Sequence, residues 1–357
     1  MILYRYNPIL HRLALLTAAA TFPLIFLGGL VTSHGAGMSV PDWPTSFGYN
    51  MWFLPLSQWW HQGGIFYEHS HRLVATGVGL CAIILAVAAW TMERRIWVRR
   101  LAYVVLGFVI FQGLLGGLRV LFVNLDMAIV HGITAQLFFC VAALAAITTS
   151  QWWNIAPNLA WSEDYVAGKK LMRISSIAVA CVFLQLVVGA IMRHEQAGLA
   201  IPDVPLAYGH LLPPTNATEL QLANAHRAFD LNMDPVTLTQ VWLSFAHRLG
   251  AVLVSIATTW VAIRVIRRHR GQPALVLPTF AMMFLLLTQA TLGVFTVLMR
   301  KPADIASAHV AVGALLLLTC FTIAARAMRL YSRHFRVQAA PVRVEVRAIG
   351  SKEFLVS

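Results

Sequence analysis

The chain has 357 residues, of which 59% are hydrophobic and only 11% charged, too apolar for a soluble domain and indicative of a polytopic membrane protein. Its net charge of +13 lies in short basic clusters between apolar runs, which fits anionic lipid and topology. No segment resembles a soluble module with a basic face, so nucleic acid is not an expected partner. Cys81, Cys140, Cys181 and Cys320 all fall inside apolar runs and offer neither a disulfide framework nor a metal knot.

A membrane span needs about 20 apolar residues. Eight stretches meet that need: residues 13–31, 71–90, 102–123, 128–149, 174–192, 241–265, 275–299 and 305–328. The first reads as an uncleaved span, because no small-residue cleavage site follows it. Arg94, Arg95, Arg99 and Arg100 follow the second span, and Lys169, Lys170 and Arg173 precede the fifth. Arg264, Arg267, Arg268 and Arg270 follow the sixth, and Arg329, Arg333 and Arg336 follow the eighth. All four clusters then fall on one side, which makes that side cytoplasmic, places both termini there and puts the protein in the cell (inner) membrane. The loops 32–67 and 193–240 face outward and are rich in Pro, Gly and Trp.

Ala36-Gly37-Met38-Ser39-Val40-Pro41-Asp42-Trp43-Pro44-Thr45-Ser46-Phe47-Gly48 in the first outer loop aligns without a gap to Ala197-Gly198-Leu199-Ala200-Ile201-Pro202-Asp203-Val204-Pro205-Leu206-Ala207-Tyr208-Gly209 in the second. The match extends from the Glu68–Arg72 stretch to Ser244–Arg248, from Gln112 and Gly116 to Gln289 and Gly293, and from His131 to His309. The predicted fold is thus an all-α membrane protein of eight transmembrane helices, arranged as two tandem, pseudo-symmetric four-helix bundles. With an even number of spans per unit, the copies share one orientation, which disfavours an inverted-repeat transporter. Residues 1–165 form the first half and 166–335 the second, with a cytoplasmic tail at 336–357.

In each unit one histidine opens the second helix, His71 or His247, and one opens the fourth, His131 or His309. Two histidines on facing helices of a four-helix bundle can ligate a haem iron from both sides. The residues one turn onward are Ala75, Ala135, Ala251 and Gly313, small enough to leave bare helix beside a flat porphyrin. The alternative is interhelical hydrogen bonding, worth about 1–2 kcal/mol per contact. A zinc-type site would gather three or four ligands in one place, and the two-by-two distribution does not.

Arg72 and Arg248 follow their histidines at the outer boundary, where topology gives no reason for arginine. Haem propionates are carboxylates that arginine binds with paired charge-assisted hydrogen bonds; snorkelling to headgroups is the competing account. Arg119 is a weaker candidate, since its counterpart is Thr296, and Asp42 and Asp203 read as loop-capping residues. The halves differ at Glu68, whose counterpart is Ser244. A lone carboxylate beside a ligand suits an enzyme that moves protons or stabilises a developing cation, while a surface pair with Arg72 is the alternative. His34, His61 and His69 lack counterparts and read as solvated loop residues.

With Glu68-X-X-His71-Arg72, the Gly37–Pro44 loop, His131, Ala246-His247-Arg248 and His309 in an eight-span frame, the chain resembles the haem A synthase family from about residue 26 to residue 328. The resemblance implies an oxidoreductase acting on a CH group, converting the C8 methyl of haem O to a formyl group. It implies substrate haem O near His71 and His131, haem b between His247 and His309, and a catalytic Glu68. It also implies hand-over from a haem O synthase and delivery to a terminal oxidase or its assembly factors, with membrane lipid around the chain and homo-oligomerisation left open. Many bacterial members carry a cysteine pair in the first outer loop, where Val40 and Ser46 stand here, so the chain is similar to the cysteine-free branch. The rival readings are a dihaem b-type electron carrier exchanging electrons with quinone and, third, a haem or quinol transporter.

Overall fold

The computed structural model describes residues 6–123, 125–160, 162 and 164–333. The expected tail at 336–357, Arg336 included, lies outside them. Eight long helices carry the fold: α1 (Pro8–Ser33), α2 (Gly64–Met92), α3 (Ile96–Phe122), α4 (Leu125–Thr149), α5 (Tyr165–His194), α6 (Leu238–Arg268), α7 (Pro273–Leu298) and α8 (Ala303–Tyr331). Each is long and apolar enough to cross a membrane, so the chain is a multi-pass membrane protein. Among the described residues there is no β-strand, only the isolated bridges Ser46–Tyr49 and Ala207–His210.

Helix starts are written in local chemistry. Asn7 caps α1 by accepting from the Ile9 and Leu10 N–H groups ahead of Pro8, and Thr237 and Gln240 form a reciprocal capping box at the head of α6. Several helices extend well beyond the apolar runs. α2 begins at Gly64, not His71, and α5 at Tyr165, not 174. The four histidines therefore do not open their helices but sit one to three turns inside them, because polar and aromatic boundary residues prolong each helix past its hydrocarbon core.

α1 packs on α2 and α4, and α5 packs on α6 and α8; α3 lies against α2 and α4, and α7 against α6 and α8. The halves meet where α1 and α4 pack on α8 and α4 approaches α5. Ile25, Phe139 and Ala314 form one core cluster across that seam, and Ala18, Ala142 and Ala143 form another against Leu318. Burying these apolar faces stabilises contact between small residues that admit close backbone approach. At the end opposite the histidines, Arg95 reaches the Thr148 carbonyl and the Asn154 side chain. Arg329 reaches the Trp153 and Ala156 carbonyls, so the short helix Gln151–Ile155 that joins the halves is held from both.

The two outer loops repeat one local shape. Trp43–Pro44 and Val204–Pro205 are both cis, and the carboxylates of Asp42 and Asp203 accept from the N–H groups of Phe47 and Gly48 and of Tyr208 and Gly209. Both aspartates thus cap their loops, with the positive-φ pairs Phe47–Gly48 and Tyr208–Gly209 turning the chain back. The second loop, expected to lack regular structure, contains the helix Ala217–Phe229.

Candidate functional site

Each of the four histidines is pressed against a glycine on a neighbouring helix. A methyl group on Gly28 of α1 would lie 3.2 Å from Cε1 of His71, and one on Gly116 of α3 would lie 3.3 Å from Cε1 of His131. The same placement puts Gly189 of α5 at 3.0 Å from His247 and Gly293 of α7 at 3.1 Å from His309. In all four the nearest ring atom is Cε1, so the rings approach in a common manner, and even a methyl group behind them would press the ring by a few tenths of an ångström.

One helical turn before three of these glycines stands a backbone carbonyl that faces the ring: Leu24 for His71, Gln112 for His131 and Gln289 for His309. The fourth ring is held differently, by the Gln185 side-chain amide 3.1 Å from Nδ1 of His247. The Nδ1 atoms of His71, His131 and His309 are buried without a well-aligned hydrogen bond. A ring whose Nδ1 side faces a carbonyl presents Nε2 for ligation, which is the usual outer-shell arrangement of a metal-bound histidine. The Gln289 side-chain amide also lies 3.4 Å from Nε2 of His309.

The C-terminal pair has the separation of a sandwich. The His247 and His309 ring centres lie 6.4 Å apart with their planes at 65°. Two imidazoles on one metal, with metal–nitrogen bonds of about 2 Å and about 1.2 Å from nitrogen to ring centre, span about 6.4 Å. The spacing of these two rings therefore matches a bis-imidazole iron. In the N-terminal half, His71 lies within electrostatic reach of His131 and Arg119, and both rings have the same glycine backing. Among the described residues no group of three or more His, Cys, Asp or Glu gathers that could hold a metal ion without a porphyrin. Of the four small residues one turn onward, Gly313 is not bare surface: it is buried beneath Leu186 and Gln289. Ala251 is exposed, in a shallow groove with Ser255 and Thr259.

Glu68 and Arg72 form a buried pair, 3% and 8% exposed, and not a surface one. Oε1 of Glu68 accepts from Nη2 of Arg72 at 2.9 Å, and Oε2 accepts from the Val40 N–H at 2.9 Å. The Arg72 guanidinium also donates to the carbonyls of Val40, Asp42 and Thr45. Arg248 does the same in its half, donating to the Ile201 and Leu206 carbonyls. Both arginines are thus engaged by their own outer loops. Arg119 donates to the Gly37 carbonyl, and the Trp43 indole lies flat on Gly117, so the first loop is seated on α2 and α3 together. Burial tends to raise the carboxyl of Asp42, but the Gly48 and Phe47 N–H groups and the Thr45 hydroxyl outweigh it and hold it below the usual carboxylate range.

His69 is a correction: it is 1% exposed, packed against Trp59 with Nδ1 3.3 Å from the Ser46 hydroxyl, because the loop folds back over α2. His34 and His61 are exposed. The backing glycines Gly28 and Gly189 lie just ahead of the repeated loop segment, and the gapless alignment of the loops pairs them when carried back toward the N-terminus from Ala36 and Ala197.

The fold and site define a multi-pass helical membrane protein with two glycine-backed histidine pairs at one end of the bundle. The chain belongs to the COX15-CtaA family, described as cytochrome oxidase assembly protein, whose profile matches residues 11–321. It is 27% identical over 302 residues to the "Heme A synthase" of Geobacillus kaustophilus (strain HTA426), covering 82% of this chain and 84% of that protein. The protein of the same name from Shouchella clausii (strain KSM-K16) is 27% identical over 332 residues, 91% of this chain and 98% of its own. That of Bacillus cereus (strain 03BB102) is 25% identical over 301 residues, 83% and 86% respectively.

Proposed function

We propose that the chain is a haem A synthase, oxidising the C8 methyl group of haem O to a formyl group to give haem A for the assembly of terminal oxidases. The observation that carries this reading is the 6.4 Å separation of the His247 and His309 rings, in a chain whose relatives bear that name. His247 and His309 hold a haem b, which supplies electron transfer when bound. His71 and His131 orient the substrate, haem O, in the N-terminal half. Haem O is too apolar to cross water readily, so a haem O synthase in the same membrane is the expected donor.

Glu68 carries a carboxylate one helical turn before His71. Arg72 and the Val40 N–H hold the carboxylate in place, so it can stabilise positive charge developing on the substrate without reorganising. Ser244, its counterpart, carries no charge, which makes the N-terminal half the reactive one. The clamp formed by Glu68, Arg72 and Val40 is also what a purely structural carboxylate would make, and this keeps the dihaem electron carrier as the second reading.

The test is reconstitution of the purified protein with haem O and analysis of the pigments by mass. Wild type should yield haem A, and Glu68→Gln should retain pigment while turnover stops. Full haem A production by Glu68→Gln removes Glu68 from the mechanism. A wild-type protein carrying only protohaem and converting no haem O is the electron carrier.

A further inference from the structure

Two cations in no ion pair among the described residues, Arg193 and Lys301, lie at the seam between the halves, at the histidine end of the bundle. Arg193, in the last turn of α5, donates through Nη2 to the Gly29 carbonyl and the Ser33 hydroxyl of α1. Ser33 in turn meets Ser307 of α8 at 2.9 Å, and Gly29 packs on the same serine. Gly28, next in sequence, backs His71, and Ser307 lies two residues before His309, so Arg193 is anchored on segments that adjoin a histidine of each pair.

Lys301, just ahead of α8, is half-buried and within electrostatic reach of Arg193. His194 lies within reach of both Arg193 and Arg119. The acids near it, Asp126 and Glu195, are exposed. Among the described residues the ion pairs are Glu68–Arg72, Glu93–Arg95 and His226–Asp230, so Arg193 and Lys301 are in no ion pair, while Arg119 has Glu68 within electrostatic reach. The acceptors Arg193 does have are neutral.

A partly buried guanidinium and an ammonium within electrostatic reach repel one another, and desolvation adds to the cost unless an anion compensates. Topology does not call for them, since the four basic clusters of the chain lie at the other end. Arg72 and Arg248 commit their charge to loop carbonyls and, for Arg72, to Glu68, whereas Arg193 has only the neutral Gly29 carbonyl and Ser33 hydroxyl.

We propose that Arg193 and Lys301, flanked by Arg119 and His194, form an oxyanion site shared by the two halves. Its ligand is a carboxylate or phosphate oxygen cluster, and the two sources of that chemistry are the propionates of a porphyrin held by the histidines and the headgroup of an anionic lipid. The first source rests on the haem-binding reading above; the second does not.

The full-length protein, stripped of pigment and placed in nanodiscs of neutral phosphatidylcholine, is titrated with ferric protoporphyrin IX and with its dimethyl ester. Wild type should bind the free acid roughly tenfold more tightly than the diester, the scale of one charge-assisted contact. Arg193→Gln and Lys301→Gln should each shrink that preference. Arg193→Gln also loosens the grip on α1, so the Lys301→Gln variant, which gives up no hydrogen bond, decides the matter. A second arm adds phosphatidylglycerol to the nanodiscs and follows the unfolding temperature of the pigment-free protein. A rise that Lys301→Gln abolishes, with the two porphyrins bound equally, assigns the site to lipid phosphate. Equal porphyrin affinities together with no lipid effect, or variants that alter neither, overturn the proposal. A wild type that takes up neither porphyrin removes the haem-binding reading, and the lipid arm still tests the seam.

Discussion

Substituting alanine for Gly189 puts a methyl 3.0 Å from Cε1 of His247, about 0.4 Å inside ordinary contact. The ring cannot easily turn away, because the Gln185 amide holds its Nδ1. Overpacking of this kind costs about 1–3 kcal/mol, while the better helix propensity of alanine returns up to about 1 kcal/mol. The unfolding temperature should therefore change little, whereas the histidine–iron geometry should be visibly disturbed and haem affinity should fall roughly tenfold. The readout is the ferric low-spin spectrum, by optical absorption and electron paramagnetic resonance, with haem content per protein. The effect should be graded: Gly189→Ala strongest, then Gly293→Ala at 3.1 Å, Gly28→Ala at 3.2 Å and Gly116→Ala at 3.3 Å. Gly77→Ala, with nothing within 4 Å, is the control. An unchanged spectrum for Gly189→Ala, or the same disturbance from Gly77→Ala, refutes the idea that these glycines seat the rings.

Arg72→Met strands Glu68 in a buried setting and frees three loop carbonyls; breaking such a pair costs about 3–5 kcal/mol, so the first outer loop should become protease-sensitive and the unfolding temperature should drop. A fully protected loop would contradict the clamp. Asp42, held below its ordinary range, contributes stability that is present above the unfolded carboxylate value and lost as pH falls through the lower folded value. Amide exchange at Phe47 and Gly48 should accelerate below about pH 4, and Asp42→Asn should remove that pH dependence; exchange that is flat with pH in wild type would show that the carboxylate is not the cap. The adjacent histidines separate cleanly: His69→Phe fills a buried aromatic niche and should leave the pigment in place, whereas His71→Phe should abolish uptake of the N-terminal porphyrin. The opposite pattern, seen in pigment yield, would mean that the ligand is His69.

Hydrophobicity alone located the eight spans, since nothing but hydrocarbon accounts for so many long apolar runs. The ends were less legible. The stretch from Gly64 to Ser70 is polar and aromatic, yet it continues α2 because the first loop covers it. The same covering explains His69, whose burial depends on Trp59 and Ser46 brought from the loop, a tertiary contact that periodicity does not encode. Arg72 and Arg248 showed their charge but not their partners; backbone carbonyls leave no mark in a sequence. The four ligand candidates were visible because they recur in both halves. What stands behind them was only half visible, since Gly116 and Gly293 fell within the aligned stretch and Gly28 and Gly189 just outside it.

The joint between the halves carries a consequence for how the chain could be cut. Arg95 grips the linker from one side and Arg329 from the other, and Leu159 is tied by its N–H to the Leu330 carbonyl. A polypeptide nicked near Pro157 would keep the Arg95 grip within the first fragment and the Leu159–Leu330 bond within the second, while the Arg329 bonds to Trp153 and Ala156 and the α1, α4 and α8 seam would join the two. Two separately translated pieces should therefore find each other in the bilayer and reconstitute a working whole.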